Sequence, residues 1–235
     1  MSGELPLIHV TPLNHTKAND FFSIFFKEHE NEIPGCGSVM SYPSATEIFR
    51  EDTPADVLYL IERGIVKLSQ IGRDGKETIV GLRGRYWLLA APAFFLGIPY
   101  TFAATTLTPC QLRAITGKCF SHLTRTDETF SWEVYRHLSQ SIYDSLGKVV
   151  EVSRMLAEER LKTFLMQLIA ELCPEKVEAH NHYQVPLKQR ELADIIGVSP
   201  EHLCRLEKKL NQEGFIISTK GILTIRDVSK LFPLP

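Results

Sequence analysis

In the first half of the chain, apolar positions come in short runs that alternate with polar residues or stop at turn residues. Tyr42–Arg50 reads as a turn leading into a strand, and Val57–Ile61 as a strand closed by Gly64. Ile65–Ile71 alternates apolar with polar side chains, the period of a half-buried strand. Arg73-Asp74-Gly75-Lys76 carries the Asp-Gly pair of a tight hairpin, because glycine accepts the positive φ such turns need, and Glu77–Leu82 is the returning strand. Strands at this spacing, with glycine at the turns, predict a sandwich or barrel over residues 36–120.

From Phe120 to about Leu172 the period lengthens. This stretch has no proline and a single glycine, Gly147. Phe130, Val134, Leu138, Ile142, Ser145, Val149, Val152 and Leu156 recur at steps of three and four, which predicts one long helix with one apolar stripe. Such a stripe needs a cover, either the β half of the same chain or a parallel helix from a second copy. Glu158–Leu172 begins a separate helical bundle, ended by Cys173-Pro174 because proline cannot continue a helix. Residues 174–186 read as a polar linker; His180, Asn181 and His182 offer too few ligands for a metal site.

The segment Leu187–Leu210 carries the most specific pattern. Leu192, Ala193 and Ile196 give a first helix its apolar face, and Ala193 is small enough for a second helix to cross close by. Gly197 supplies the left-handed position that ends a helix. Ser199 is placed to cap the next one, and Pro200 fits its first position, where a missing N–H costs nothing. Leu203, Leu206 and Leu210 anchor this second helix and leave Glu201, His202, Arg205, Lys208 and Lys209 facing outward. Behind it, Gly214–Ser218 and Ile222–Ile225 read as short strands joined by Thr219-Lys220-Gly221, a wing.

A helix-turn-helix with a wing at this spacing predicts binding to double-stranded DNA, the second helix entering the major groove. Arg205 can donate two hydrogen bonds to guanine, and Glu201 can accept from a cytosine amine or serve only to orient Arg205 through an ion pair. His202 is the third candidate for base contact. Gln189, Arg190, Ser199 and Lys208 are better placed for phosphates, which position without specifying. Dimeric readers of DNA need a helical seam, so the long stripe is assigned to a second copy, with Val134, Leu138, Ile142, Val149, Val152 and Leu156 as the expected dimer contacts.

Bulk properties limit the alternatives. At 235 residues two domains are expected, and 44% hydrophobic with 23% charged residues is a balance typical of globular domains. The formal net charge of −2 gives no global attraction to nucleic acid, so binding must come from one local face. The first residues lack the layout of a signal peptide, and no apolar run is long enough to span a bilayer, which predicts a cytoplasmic protein with no membrane contact. The cysteines, Cys36, Cys110, Cys119, Cys173 and Cys204, are scattered and read as free thiols.

Across residues 36–228 the chain resembles the cyclic-AMP receptor/FNR superfamily of bacterial regulators. The resemblance rests on Tyr42-Pro43, Ile48-Phe49-Arg50, Leu58–Ile61, Gly64, Asp74-Gly75-Lys76-Glu77, Gly84, the long helix and Val198–Arg205. It implies an α+β chain with an N-terminal β jelly-roll sensor over 20–122, a dimerisation helix over 123–157 and a winged helix-turn-helix over 158–235. It further implies a homodimer on a palindromic site, activation of transcription, and RNA polymerase as a partner. Glu201 and Arg205 match the family's Ser-Arg-Glu-Thr-Val-x-Arg pattern, whereas Pro200 and His202 depart from it.

The sensor half departs further. Cyclic-nucleotide binders of the family carry Gly-Glu-Leu after the glycine here at Gly84, then Arg-Ser/Thr-Ala about ten residues on. This chain has Leu89 at the glutamate place and Tyr100 at the arginine place, so no binding of cyclic AMP or cyclic GMP is expected. No cofactor is predicted. Iron–sulfur sensing would need four close thiolates where the N-terminal region has Cys36 alone. The alternative is a haem- or small-apolar-ligand sensor of the same fold, in which Trp87–Phe102 walls the pocket and His9, His15, His29, Cys36 or Cys119 supplies an axial ligand. A cupin-type metal enzyme is the weaker alternative, because residues 42–116 contain no histidine. A module that uses its helical half only for protein contacts is the third.

Overall fold

A computed structural model describes residues 20–29, 37–72, 75–172, 182–219 and 222–226. His9, His15, Cys36, Asp74, Cys173, Pro174, His180, Asn181 and the Lys220-Gly221 turn, all named above, lie outside the described residues. Helix α1 (Phe21–Glu28) precedes strands β1 (Val39–Tyr42), β2 (Glu47–Phe49), β3 (Val57–Arg63), β4 (Val66–Ile71), β5 (Glu77–Arg83) and β6 (Leu88–Leu89). Then come α2 (Ala91–Leu96), β7 (Ala103–Thr106), β8 (Cys110–Thr116), α3 (Gly117–Thr126), α4 (Glu128–Arg154) and α5 (Ala157–Leu172). The C-terminal head consists of β9 (Tyr183–Gln184), α6 (Gln189–Ile196), α7 (Pro200–Gln212), β10 (Ile216–Thr219) and β11 (Ile222–Ile225). Among the described residues no helix is long and apolar enough to cross a membrane.

The strands of the N-terminal half pair antiparallel in two four-stranded sheets, β1-β8-β3-β6 and β2-β7-β4-β5, the expected jelly roll. Between the sheets lie Ile61, Val66, Leu68, Leu89, Ala104 and Leu112. Leu58, Leu60 and Ile115 pack into a second cluster with Phe22, Phe26, Phe120 and Phe130 from α1, α3 and α4. Strand β3 therefore contributes to both cores, which is why it reads as a continuous apolar run rather than an alternation.

The helical segment is divided where the sequence reading expected continuity from 123 to 157. The Asp127 carboxylate accepts from the Phe130 N–H at 2.8 Å and starts α4 anew. The predicted single stripe is also two faces. At about 3.6 residues per turn, Phe130, Val134 and His137 share one side and are buried against the chain's own β half. Val134 is 1% exposed, so it is not available to a second subunit, and Leu138 packs partly against the same cluster. The seam assignment is corrected for Val134. Tyr135, Ile142, Leu146 and Val149 lie away from that side, and Ile142, Val149, Val152 and Leu156 are all exposed.

The two halves are joined through a shared core and polar contacts. Ile65 and Leu82 of the β half belong to the same cluster as Leu161, Leu165, Leu192 and Leu203. Lys67 on β4 bonds Glu191 of α6 at 2.8 Å and Glu77 of β5 at 3.2 Å. Glu171, in the last turn of α5, accepts from the backbone N–H of Arg85 at 2.7 Å. The carboxyl sits so close to Gly84 that any Cβ there would overlap it. Cys119 is disulfide-bonded, correcting its expected free thiol, while Cys110 and Cys204 are free. Cysteines scattered along a chain can still meet once it folds.

Candidate nucleic-acid interface

The helix-turn-helix is built by local chemistry. At the start of α6 the Lys188 N–H donates to Glu191 Oε2 at 2.9 Å, satisfying one of the orphan donors of a helix terminus. Gly197 ends the helix at φ 72°, and its N–H and that of Val198 return to the Ala193 carbonyl at 2.9 and 3.0 Å. Ser199 Oγ accepts from the His202 N–H at 3.2 Å and Pro200 opens α7. Ala193 is completely buried where α7 crosses, and Leu203 and Leu210 fix the inner face of α7, with Leu206 half-buried beside them. Strands β10 and β11 pair as the wing, and β11 also pairs with β9, from a stretch read in sequence as linker.

This arrangement puts Glu201, Arg205 and Lys208 on the exposed side of α7, with His202 half-buried at its first turn. The Glu201 carboxyl is held below its ordinary value, first by its own backbone N–H, then by the Ser199 side chain and the Arg205 charge. Glu201 and Arg205 stand one turn apart on the exposed face of α7, near enough for the Arg205 charge to reach the carboxyl. Gln189 and Arg190 stand exposed in the first turn of α6. Gln189 is not free, since its Nε2 donates to Glu207 at 2.8 Å. Ser199 is engaged twice, its oxygen accepting in the cap and its hydroxyl turned to the Glu201 carboxylate, so a phosphate would have to compete for it. Lys209, also outward, is paired with Glu158 of α5, which Lys162 contacts as well.

Two buried polar residues in this region escaped the sequence reading. Glu207 faces inward and bonds both Gln189 and Ser218. Its step from Leu203 and to Leu210 marks the inner face, a signal present in the sequence. Arg160 on α5 is 7% exposed and donates to the carbonyls of Ile196 at 2.9 Å and Met155 at 2.7 Å. It ties the end of α6 to the α4–α5 junction, and no local pattern reveals it.

Two places in the jelly roll carry apolar or aromatic side chains where a cyclic-nucleotide site carries charge. Leu89, at the place expected for a glutamate, is buried in the apolar core between the sheets. Tyr100, at the place expected for an arginine, stacks on Phe49 with ring centroids 4.0 Å apart and donates its hydroxyl to the Val57 carbonyl at 2.7 Å. Burial pushes the Tyr100 phenol up to about 12. Neither place offers a cation to offset the desolvation of a phosphate. The haem alternative loses one candidate ligand, because Cys119 is disulfide-bonded. His29 stacks on Phe25 and bonds the Phe25 carbonyl through Nδ1 at 2.9 Å. Among the described residues no group of three His, Cys, Asp or Glu is arranged to hold a metal.

Comparison with known proteins places both halves. Residues 39–127 match the cyclic nucleotide-binding domain family and residues 159–233 the Crp-like helix-turn-helix domain family. The CRP-like protein Clp of Xanthomonas euvesicatoria pv. vesicatoria is 25% identical over 181 residues, covering 74% of this chain and 78% of that protein. The structure of FixK2 from Bradyrhizobium japonicum aligns with a TM-score of 0.66 at 19% identity, over 83% of this chain and 95% of that one. The structure of CLP from Xanthomonas campestris, described as a c-di-GMP responsive global regulator, aligns with a TM-score of 0.65 at 23% identity, over 81% and 94%.

Proposed function

Because the chain belongs to the cyclic-AMP receptor/FNR superfamily of bacterial transcription regulators, we propose that it binds one palindromic DNA site as a homodimer, without a cyclic nucleotide, and activates transcription with RNA polymerase in the cytoplasm. It is a transcription regulator with a helix-turn-helix DNA-binding domain, not an enzyme. The observation that carries the proposal is the outward face of α7, where Glu201, Arg205 and Lys208 stand exposed on a helix fixed from behind by Leu203 and Leu210. The division proposed is a jelly roll over 20–122, a dimerisation segment over 123–157 whose helix is α4, and a DNA-binding head over 158–235.

In this reading Arg205 reads a guanine, Glu201 a cytosine amine, and His202 a neighbouring base. Arg190, Lys208, Gln189 and the Ser199 hydroxyl hold phosphates. The exposed residues toward the end of α4, Ile142, Val149 and Val152, with Leu156 just beyond it, supply the seam against the second copy. Independence from cyclic nucleotide is supported by the Phe49–Tyr100 stack where the family's phosphate partner would stand.

Selection from random duplexes tests the proposal, with the dimer's stoichiometry read by a gel shift on the enriched site. A palindrome should emerge, and Arg205→Ala should bind it more weakly by about 1–3 kcal/mol with relaxed preference at one base pair per half-site. Unchanged selection by the variant would refute the assignment. Calorimetric titration with cyclic AMP, and separately with c-di-GMP, should give no heat of binding; binding of either would refute ligand independence.

A further inference from the structure

The inner face of α7 carries an unexpected group. Leu203 and Leu210 are 1% and 0% exposed, and between them Glu207 is 3% exposed. One oxygen of its carboxylate, Oε2, accepts from Gln189 Nε2 at 2.8 Å and from Ser218 Oγ at 3.0 Å. The other, Oε1, is buried with no hydrogen-bond partner among the described residues. Gln189 is the first residue of α6 and Ser218 lies in β10, so three separate elements meet at a single oxygen.

A leucine at this position would complete the apolar face and strand no oxygen. Burial pushes the Glu207 carboxyl above its ordinary value, with Ser218 and Gln189 pulling the other way. The carboxylate is therefore a costly choice for packing alone. What it supplies that leucine cannot is a fixed position for two polar side chains, one on the exposed start of α6 and one on the wing. Both elements pack against α7, whose outer face would receive a duplex.

We propose that Glu207 is a positioning residue for DNA binding, holding Gln189 and the wing in register with the outer face of α7 before the duplex arrives. The proposal rests on the DNA-binding reading above. Gln189 keeps its amide oxygen and one N–H available while the tethered N–H fixes its rotamer, so that freedom is not lost again on binding. Releasing this one side chain should weaken binding about threefold for each head, and about tenfold for a dimer that engages two.

The test uses the full-length protein and its selected palindrome. Glu207→Leu removes the acceptor while completing the apolar face, and Glu207→Gln keeps an acceptor oxygen in place. Glu207→Leu should retain or raise the melting temperature, bind about tenfold more weakly, and lose hydroxyl-radical protection over the backbone beside the wing. Base preference should not change, and Glu207→Gln should restore affinity and footprint. Gln189→Ala should weaken the wild type yet add nothing in the Glu207→Leu background. Wild-type affinity and footprint for Glu207→Leu would overturn the proposal alone. So would loss of melting temperature and affinity in parallel in both variants, the mark of a merely structural role. A wild-type protein that selects no duplex would sink the DNA-binding reading along with it.

Discussion

Replacing Glu171 by glutamine tests how the C-terminal head is held to the jelly roll. The carboxyl is 9% exposed, accepts a single N–H from Arg85, and has its second oxygen buried without a hydrogen-bond partner among the described residues. Burial raises it from 4.5 to about 7, with the Arg85 N–H and charge only partly opposing the rise. At about 1.4 kcal/mol for each tenfold change in proton affinity, keeping it ionised in the folded chain costs about 3 kcal/mol. A carboxyl with a folded-state value above its unfolded one binds its proton more tightly when folded. The cost is therefore absent below about pH 4.5, grows up to about pH 7, and is constant above. Glu171→Gln removes this titration while its amide oxygen can still accept from Arg85. Its orphaned NH₂ costs about 1–3 kcal/mol at every pH, so the slope is decisive rather than the absolute stability. Urea unfolding at intervals from pH 5 to 8, followed by tryptophan fluorescence, should show a fall in wild-type stability that the variant lacks. Parallel curves for the two proteins would refute a buried, ionising Glu171.

Other outcomes follow from burial and capping. Phe130→Ala, at a completely buried position in the aromatic cluster, should destabilise the subunit by about 3–5 kcal/mol in denaturant unfolding. Val149→Asp, at a position 64% exposed on the same helix, should leave the unfolding of the isolated subunit unchanged and raise the dimer dissociation constant in sedimentation. Arg160→Met should leave the Ile196 and Met155 carbonyls without their donor, at about 1–3 kcal/mol each, and speed amide exchange around Gly197. Ser199→Ala should cost about 1 kcal/mol by removing the α7 cap, measured by thermal unfolding.

The sheets and the head were legible because their signals are local. Alternation marks β4, the Gly197-Val198-Ser199-Pro200 turn has chemistry that few other segments share, and the wing follows it closely. What stayed hidden depends on contacts across the chain. Strand β9 is only two residues long and exists by pairing with β11, and α1 shows its role only in the aromatic cluster it completes. Steps of three and four join neighbouring faces of α4 into one apparent stripe, and only the β half decides which side is covered. Lys67 and Glu191 are 124 positions apart, so no window on the sequence could pair them. At the candidate site the outward residues of α7 were readable from periodicity, whereas the second partners of Gln189 and Ser199 were not. The missing nucleotide-binding pair was visible as substitutions, but the aromatic stack at Tyr100 was not.

Helix α4 is covered by its own chain near its start and bare over much of the rest of its length. With a second copy as the cover proposed for that outer face, pairing follows mass action. At low abundance the protein would be mostly single heads, each gripping half a palindrome too weakly to hold it. Because dimers accumulate with the square of subunit concentration, occupancy of a promoter would climb more steeply than synthesis of the regulator. The cell's own output of this protein then becomes a signal.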